Sequence, residues 1–416
     1  MNRRNFFFSM GAIGLTAYNS RLSFSINHDN NPKCSFNDNS IIYVFLHGGP
    51  THIETFNPIP EATSERRSVV GYLDTNVPGM RIGGLWDNLA NKADKYCVVN
   101  SFSHRDANHE SAQHWMLTGE PNTPNAPQKW PSYGSVVCGQ YGTNDKKSGL
   151  PNYVKLSSIN YDSAAWMGNK FQGYAANSDG ISDLLLTDEK RFKDRLRMLQ
   201  TIDENSKLDS NNIMSKGWTD LREQASDLLF GKAGEAFVLE NDPEYNTYTG
   251  SKFGEDLLTA MRLVERGVKF VNVMDFGWDM HQSIAGGMKV KVPNIDTYLS
   301  RLLESLEKRS LNQRVMLVVS GDFGRTPKIN QDAGRDHWPS LVPLLIANDS
   351  YDMGRIIGSS DSNGDAPKDN PFEPEDLKWT ILSHIGLHKD ADWYSIDNRP
   401  QMFIKDSAKN ILTGAT

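Results

Sequence analysis

Oxygen and imidazole side chains crowd the stretch Gly321-Asp322-Phe323-Gly324-Arg325-Thr326-Pro327 and, one loop later, Asp336-His337-Trp338. Carboxylate and imidazole together suit a divalent ion, so Asp322 and His337 are candidate metal ligands. Asp336 either binds directly or orients His337. Arg325 offers a planar fork for a phosphate or sulfate oxyanion, which makes Arg325 and Asp336 candidate substrate-binding residues. The alternative is a structural ion pair between Arg325 and Asp336. The run Val315-Met316-Leu317-Val318-Val319 before Asp322 is apolar at every position, as in an inner strand of a parallel sheet. Ligands bind beyond the carboxyl ends of such strands.

Three further clusters carry similar chemistry. His47-Gly48-Gly49-Pro50-Thr51-His52 follows the apolar run Ile41 to Leu46, and its paired glycines permit close backbone approach to a ligand. His47 and His52 are candidate metal ligands there, with a structural role as the alternative for each. His109 opens the stretch His109-Glu110-Ser111-Ala112-Gln113-His114 after the apolar run at Tyr96. On a helix His109, Glu110 and His114 cannot share one face, so His109 at the turn is the candidate catalytic residue and His114 packs. Asp279 and His281 supply an oxygen and an imidazole from the single loop after Lys269 to Met274, a mixture suited to zinc, manganese or iron, with a surface salt-bridge pair as the alternative.

These clusters need a rigid frame. Buried-strand patterns at Ile41 to Leu46, Tyr96 to Asn100, Tyr153 to Leu156, Lys269 to Met274, Val315 to Val319 and Leu341 to Ile346 alternate with helical stretches. That alternation predicts an α/β fold with a mainly parallel central sheet covered by helices on both faces. Apolar spacing predicts helices from Gly254 to Gly267, with Gly267 as the cap, and from Thr297 to Leu311. Residues 178–246 read as a helical insertion in a single domain spanning 31–416, and Gly358 to Asn370 as an exposed loop.

The N-terminus places Arg3-Arg4 before an apolar stretch running to about Tyr18, the pattern of a twin-arginine export signal within residues 1–30. The twin-arginine export machinery is then a partner and the location periplasmic or extracellular; a short basic leader of an intracellular protein is the alternative. No later run is long enough to span a bilayer, so the mature chain is expected to have no transmembrane span. A formal charge of −7 argues against a nucleic-acid partner. Three cysteines, Cys34, Cys97 and Cys138, without CxxC spacing give neither a disulfide framework nor a thiolate zinc site. Cys97 reads as a buried thiol.

Several ordered motifs now carry a resemblance: Arg3-Arg4-Asn5-Phe6, Gly48-Gly49-Pro50-Thr51-His52, Ala260-Met261-Arg262-Leu263-Val264-Glu265-Arg266-Gly267, Gly277-Trp278-Asp279-Met280-His281, Phe323-Gly324-Arg325-Thr326-Pro327 and Gly334-Arg335-Asp336-His337-Trp338. Across nearly the whole chain they resemble the twin-arginine-exported family known as domain of unknown function 1501. Its members resemble the alkaline phosphatase and sulfatase superfamily, which implies a three-layer α/β/α sandwich, alkaline phosphatase-like, with metals at the strand ends. The stretch from His109 to Thr118-Gly119 resembles the sulfatase segment in which a nucleophile begins a helix. His109 then stands where a cysteine, serine or threonine is usual, so a covalent intermediate is not indicated and water activated by the metal is the simpler attacking group. By the same resemblance His47 takes the place of a first-strand aspartate, Asp279 and His281 that of an Asp-plus-His pair, Asp322-Phe323 that of an Asp-His pair, and His337 that of a late histidine ligand.

The expected function is an exported metal-dependent hydrolase of phosphate or sulfate esters. One or two divalent ions, zinc, manganese or calcium, would be held by residues drawn from Asp279, His281, Asp322, His337, His47 and His52, with Arg325 on the substrate oxyanion and His109 as acid, base, nucleophile or ligand. The substrate would be a small anionic ester or a sulfated or phosphorylated glycan. Trp278 and Trp338 are candidates to stack on a sugar or to pack in the core. The rival expectation is a catalytically inactive exported binding or assembly protein that retains the fold; phosphoglycerate-mutase-like transfer is a third.

Overall fold

The computed structural model describes residues 37–121, 130–157, 161–176, 232–389, 393–394, 400–401 and 403–415. The expected leader (1–30), Cys34 and most of the expected insertion at 178–246 lie outside the described residues. The part of that insertion that is described, from Lys232 onward, forms 3-10 turns at Lys232–Phe237 and Leu239–Asn241.

A β-branched and aromatic run, Ser40–His47, forms the central strand β1. Its alternate side chains enter two separate cores. Ile42, Val44 and Leu46 pack with residues of α3 (Lys252–Glu265) and α4 (Ile284–Lys308). Ile41, Tyr43 and Phe45 pack with residues of α1 (His109–Thr118), α2 (Tyr133–Tyr141) and α5 (Pro374–His384). A strand buried on both faces is what a helix-covered sheet requires, and the result is a three-layer α/β/α arrangement.

The other strands of this eight-stranded sheet are β2 (Cys97–Val99), β3 (Tyr153–Lys155), β4 (Tyr174–Ala175), β5 (Phe270–Phe276), β6 (Val315–Gly321), β9 (Leu345–Ala347) and β10 (Arg355–Ile357). Between β6 and β9 a small hairpin pairs β7 (Gly324–Arg325) with β8 (His337–Trp338). The order across the sheet is β10-β2-β9-β6-β1-β5-β3-β4. Only β9 runs antiparallel to its neighbours. Leu46 of β1 is level with Asp275 of β5 and with Gly321 of β6, so three loops leave the same rim side by side.

Two expected elements differ. Of the run Leu341 to Ile346 only the end pairs, because Pro343 has no N–H for a ladder and Val342 bonds instead to the Phe102 carbonyl (2.8 Å). Helix α4 begins well before Thr297: Ile284, Met288, Val292 and Ile295 keep one face buried and carry the helix through Gly286, Gly287 and Pro293. Gly267 takes φ +101 directly after α3, the expected cap.

At the amino end of β1 the chain is pinned. The Asn37 amide donates to the Tyr141 hydroxyl (3.1 Å) and its side chain to the His384 carbonyl (3.0 Å). Cys97 and Cys138 are buried free thiols, and among the described residues no helix is long and apolar enough to cross a membrane.

Near the opposite rim, Glu54 and Arg335 form an ion pair in which both side chains are fully enclosed. Arg335 donates through Nε (3.0 Å) and an Nη (2.8 Å) to the two carboxylate oxygens, and the Thr51 hydroxyl adds a third bond to Glu54 (2.7 Å). Removing one member leaves a buried charge without its partner. Arg335→Ala is expected to lower stability by about 3–5 kcal/mol, and the double change to Glu54→Leu with Arg335→Met to recover part of that loss, measured by urea denaturation.

Candidate metal centre at the sheet rim

Segments following β2, β5 and β6 bring four ligand-type side chains together. Asp279 and His281 come from the loop after β5, His337 from β8, and His109 from the first turn of α1. The Asn108 side chain caps α1 by accepting from the amides of Glu110 (3.0 Å) and Ser111 (3.4 Å), which fixes His109 at the helix start. Gly48, at φ +115, lets the β1 loop press on the β5 loop: a Cβ there would lie 2.7 Å from the Asp279 amide nitrogen. At Gly49 a Cβ would meet the Phe323 ring at 2.5 Å. That ring sits 4.4 Å from His337 and 4.8 Å from His109, centre to centre, and sets their separation.

Each imidazole has its Nδ1 tied to an acceptor from another segment. His281 Nδ1 lies 2.8 Å from Asp336 Oδ1, His337 Nδ1 lies 2.8 Å from the Ala107 carbonyl, and His109 Nδ1 lies 2.6 Å from Asp322 Oδ2. A carbonyl or carboxylate only accepts, so in the neutral ring the proton belongs on Nδ1 and the Nε2 lone pair faces the cluster, at His281 with an Arg325 N–H 3.3 Å away. Those lone pairs converge. His281 Nε2 and His337 Nε2 are 3.0 Å apart, and Asp279 Oδ1 is 3.0 Å from the first and 3.3 Å from the second. His109 Nε2 stands 3.6 Å from the other Asp279 oxygen. The ligand atoms of His109, Asp279 and His337 all lie within 4.8 Å of one another. Ligand atoms sharing a tetrahedral ion at about 2.0–2.1 Å sit about 3.3 Å apart, so the donor set fits a divalent cation.

The model of the family described as Protein of unknown function (DUF1501) matches residues 38–413. The chain belongs to that family. In overall shape this DUF1501 member is similar to a sulfatase from Pseudoalteromonas sp. (TM-score 0.44, 12% identity, 91% of this chain and 73% of that one). It is also similar to the lipoteichoic acid synthase of Listeria monocytogenes (TM-score 0.42, 10% identity, 95% and 80%) and to the phosphonate monoester hydrolase of Agrobacterium radiobacter (TM-score 0.36, 11% identity, 91% and 78%). A phosphopentomutase of Caldanaerobacter subterraneus subsp. tengcongensis is 30% identical over 104 residues, which span 24% of this chain and 24% of that enzyme.

Several residues expected in the DUF1501 site stand elsewhere. His52 is enclosed at 2% exposure with Nε2 on the Gly364 carbonyl (3.1 Å); it anchors the 358–370 loop and belongs to no ligand cluster. His47 is separated from the cluster by Gln113, whose amide nitrogen lies 2.9 Å from His47 Nε2 and 3.2 Å from Asp322 Oδ2. Asp322 reaches the cluster through His109, and its other oxygen is buried without a partner. Asp336 orients His281, not His337. Arg325 is fully enclosed, and its five N–H groups face the carbonyls of Gly48, Gly49 (2.8 Å) and Arg335 (3.1 Å), the Asp279 carboxylate and His281 Nε2 (3.3 Å). No fork is left for a substrate oxyanion. The ion pair is with Asp279 rather than Asp336.

Three contributors went unread in the sequence. Gln113 sits four residues after His109, so helical spacing alone places both on one face. His104 lies 2.7 Å from the Asp322 carbonyl through Nε2, in the same string as His109. The Ala107 carbonyl has no side-chain signal at all.

Electrostatics follow these partners. The hydrogen bond to Asp322 raises the His109 pKa above the ordinary histidine value, with burial opposing. Burial lowers that of His337. Burial would raise the Asp279 pKa, but the Arg325 hydrogen bond and charge hold it below the carboxylate range. Because the fold favours the His109 imidazolium, that contribution to stability is present below the unfolded histidine value of about 6.5 and is lost as pH rises through the higher folded value. In chelator-treated protein the His109 imidazole is expected to titrate above 6.5, and Asp322→Asn to move its midpoint down; histidine NMR titration checks both.

Proposed function

We propose that the protein is an exported metal-dependent hydrolase of phosphate or sulfate esters. The observation that carries this reading is the convergence of His281 Nε2, His337 Nε2 and Asp279 Oδ1 within 3.0–3.3 Å at the carboxyl rim of a mainly parallel sheet. The facing lone pairs of His281 Nε2 and His337 Nε2 repel; Arg325 donates to His281 Nε2 (3.3 Å) and to Asp279, and a cation would relieve the repulsion that remains at His337. The ester class comes from the motif resemblance and from the segment shared with a phosphopentomutase; export comes from the Arg3-Arg4 leader.

Asp279, His281 and His337 would hold the ion, with His109 Nε2 beside it as a further ligand or as the proton carrier. A divalent ion there supplies a lowered water pKa and neutralises charge on the ester oxygens. Asp336 and the Ala107 carbonyl keep the two imidazoles in the tautomer that exposes Nε2. Arg325 positions Asp279 and His281 and does not touch substrate. His109, backed by the buried carboxylate of Asp322, can hold a proton at Nε2 and give it to the departing alcohol oxygen, or take one from water.

A second reading, an exported binding protein with the metal but no turnover, is favoured by one observation: an imidazole, with no hydroxyl or thiol, heads α1. Metal analysis and assays with 4-nitrophenyl phosphate and 4-nitrophenyl sulfate separate the two. The hydrolase reading expects about one divalent ion per chain and metal-dependent turnover; His281→Ala and Asp279→Ala each lose the ion and lower kcat/KM by about a hundredfold or more. Wild type that holds the ion and turns over neither ester supports the binding protein. Wild type without metal removes both.

A further inference from the structure

We propose that Phe276 is a platform for the flat face of a ring in the alcohol portion of the substrate, an inference that rests on the ester-hydrolase reading. Among the described residues few large apolar side chains are exposed, and only Phe276, at 47%, ends a strand of the main sheet beside the ligand loops. Isolated exposed apolar groups are common on protein surfaces. This one is distinguished by its fixed position and its neighbours.

Phe276 pairs in register with His47 across β5 and β1, and the two rings lie 5.0 Å apart. His47 contacts Gln113, Gln113 contacts Asp322, and Asp322 holds His109, so the ring stands on the same rim as the cluster and is linked to it through these residues. Lys291 donates to the Phe276 carbonyl and pairs with Asp275 (2.7 Å), which holds the backbone beneath the ring. Asp279 follows three residues later, beyond a turn at Gly277 with φ +93. An ester whose acid group lies at Asp279, His281 and His337 and whose alcohol follows the β5 side of the rim would meet Phe276. The tryptophans of the region do not compete for this role. Trp278 is buried at 1% exposure with its indole N–H on Asp275 (2.7 Å), and Trp338 is half-buried with its N–H on the Asp365 carbonyl (2.7 Å).

A rigid, half-exposed phenyl ring favours a planar or chair-like apolar face stacked on it, as aryl and pyranose rings provide. A short unbranched alcohol covers less of it. The test uses non-hydrolysable anions on the metal-loaded protein: methylphosphonate, phenylphosphonate and cyclohexylphosphonate, titrated by calorimetry against wild type, Phe276→Ala and Phe276→Trp. Wild type is expected to bind one or both ring phosphonates about tenfold more tightly than methylphosphonate. A phenyl advantage alone indicates aryl esters; a cyclohexyl advantage as well indicates a sugar-like ring. Phe276→Ala is expected to abolish the advantage while leaving methylphosphonate unchanged, and Phe276→Trp to keep it. Equal affinity of all three anions for wild type, or an advantage that survives Phe276→Ala, overturns the platform alone. Failure of methylphosphonate to bind strikes the phosphate-ester form of the hydrolase reading, and the platform falls with it.

Discussion

The enclosed guanidinium of Arg325 is the constraint on which the rim depends. It receives the carbonyls of Gly48 and Gly49 from the loop after β1, Asp279 and His281 from the loop after β5, and the Arg335 carbonyl from the approach to β8. A buried cation without partners is expensive, and here each N–H finds an acceptor while Asp279 supplies the opposite charge. Three segments far apart in sequence are held by one side chain. Lysine, with a single rotatable ammonium, could not reach them in that fork.

The cluster is built from acceptors, and that decides its chemistry. Asp279, Asp322 and Asp336 face one enclosed arginine, so the local field is negative before any ligand arrives. Every imidazole is held by a partner from another loop: Asp336 for His281, the Ala107 carbonyl for His337 and Asp322 for His109. Orientation is therefore fixed by packing of the loops and does not wait for an ion. The glycines at 48 and 49 serve the same end by letting the β1 loop lie against Trp278, Asp279 and Phe323.

Much of this was legible in the sequence where periodicity and residue type act together. Apolar runs ending in polar motifs revealed the strands at 40–47, 270–276 and 315–321, and with them the rim on which Asp279, His281 and His337 meet. Roles were less legible than positions. Nothing in the spacing of Arg325 and Asp336 says that backbone carbonyls will claim the guanidinium, since carbonyls leave no mark on a sequence. His52 resembled His47 by type and neighbourhood, and only the arrival of the 358–370 loop distinguishes them. The apolar spacing from Thr297 to Leu311 showed only the second half of α4, whose first half holds Gly286, Gly287 and Pro293 and is carried by the burial of Ile284, Met288 and Val292.

Asn37 is fastened between Tyr141 and His384 at the amino end of β1, whereas His47 closes that strand at the rim. Eight residues of extended chain span about 26 Å, roughly the depth of the sheet. Asn37 thus lies at the floor of the molecule while the histidines open at its ceiling. The cluster is therefore reached from the face opposite the anchored start of β1, and a change at Asn37, Tyr141 or His384 leaves the ligand loops untouched.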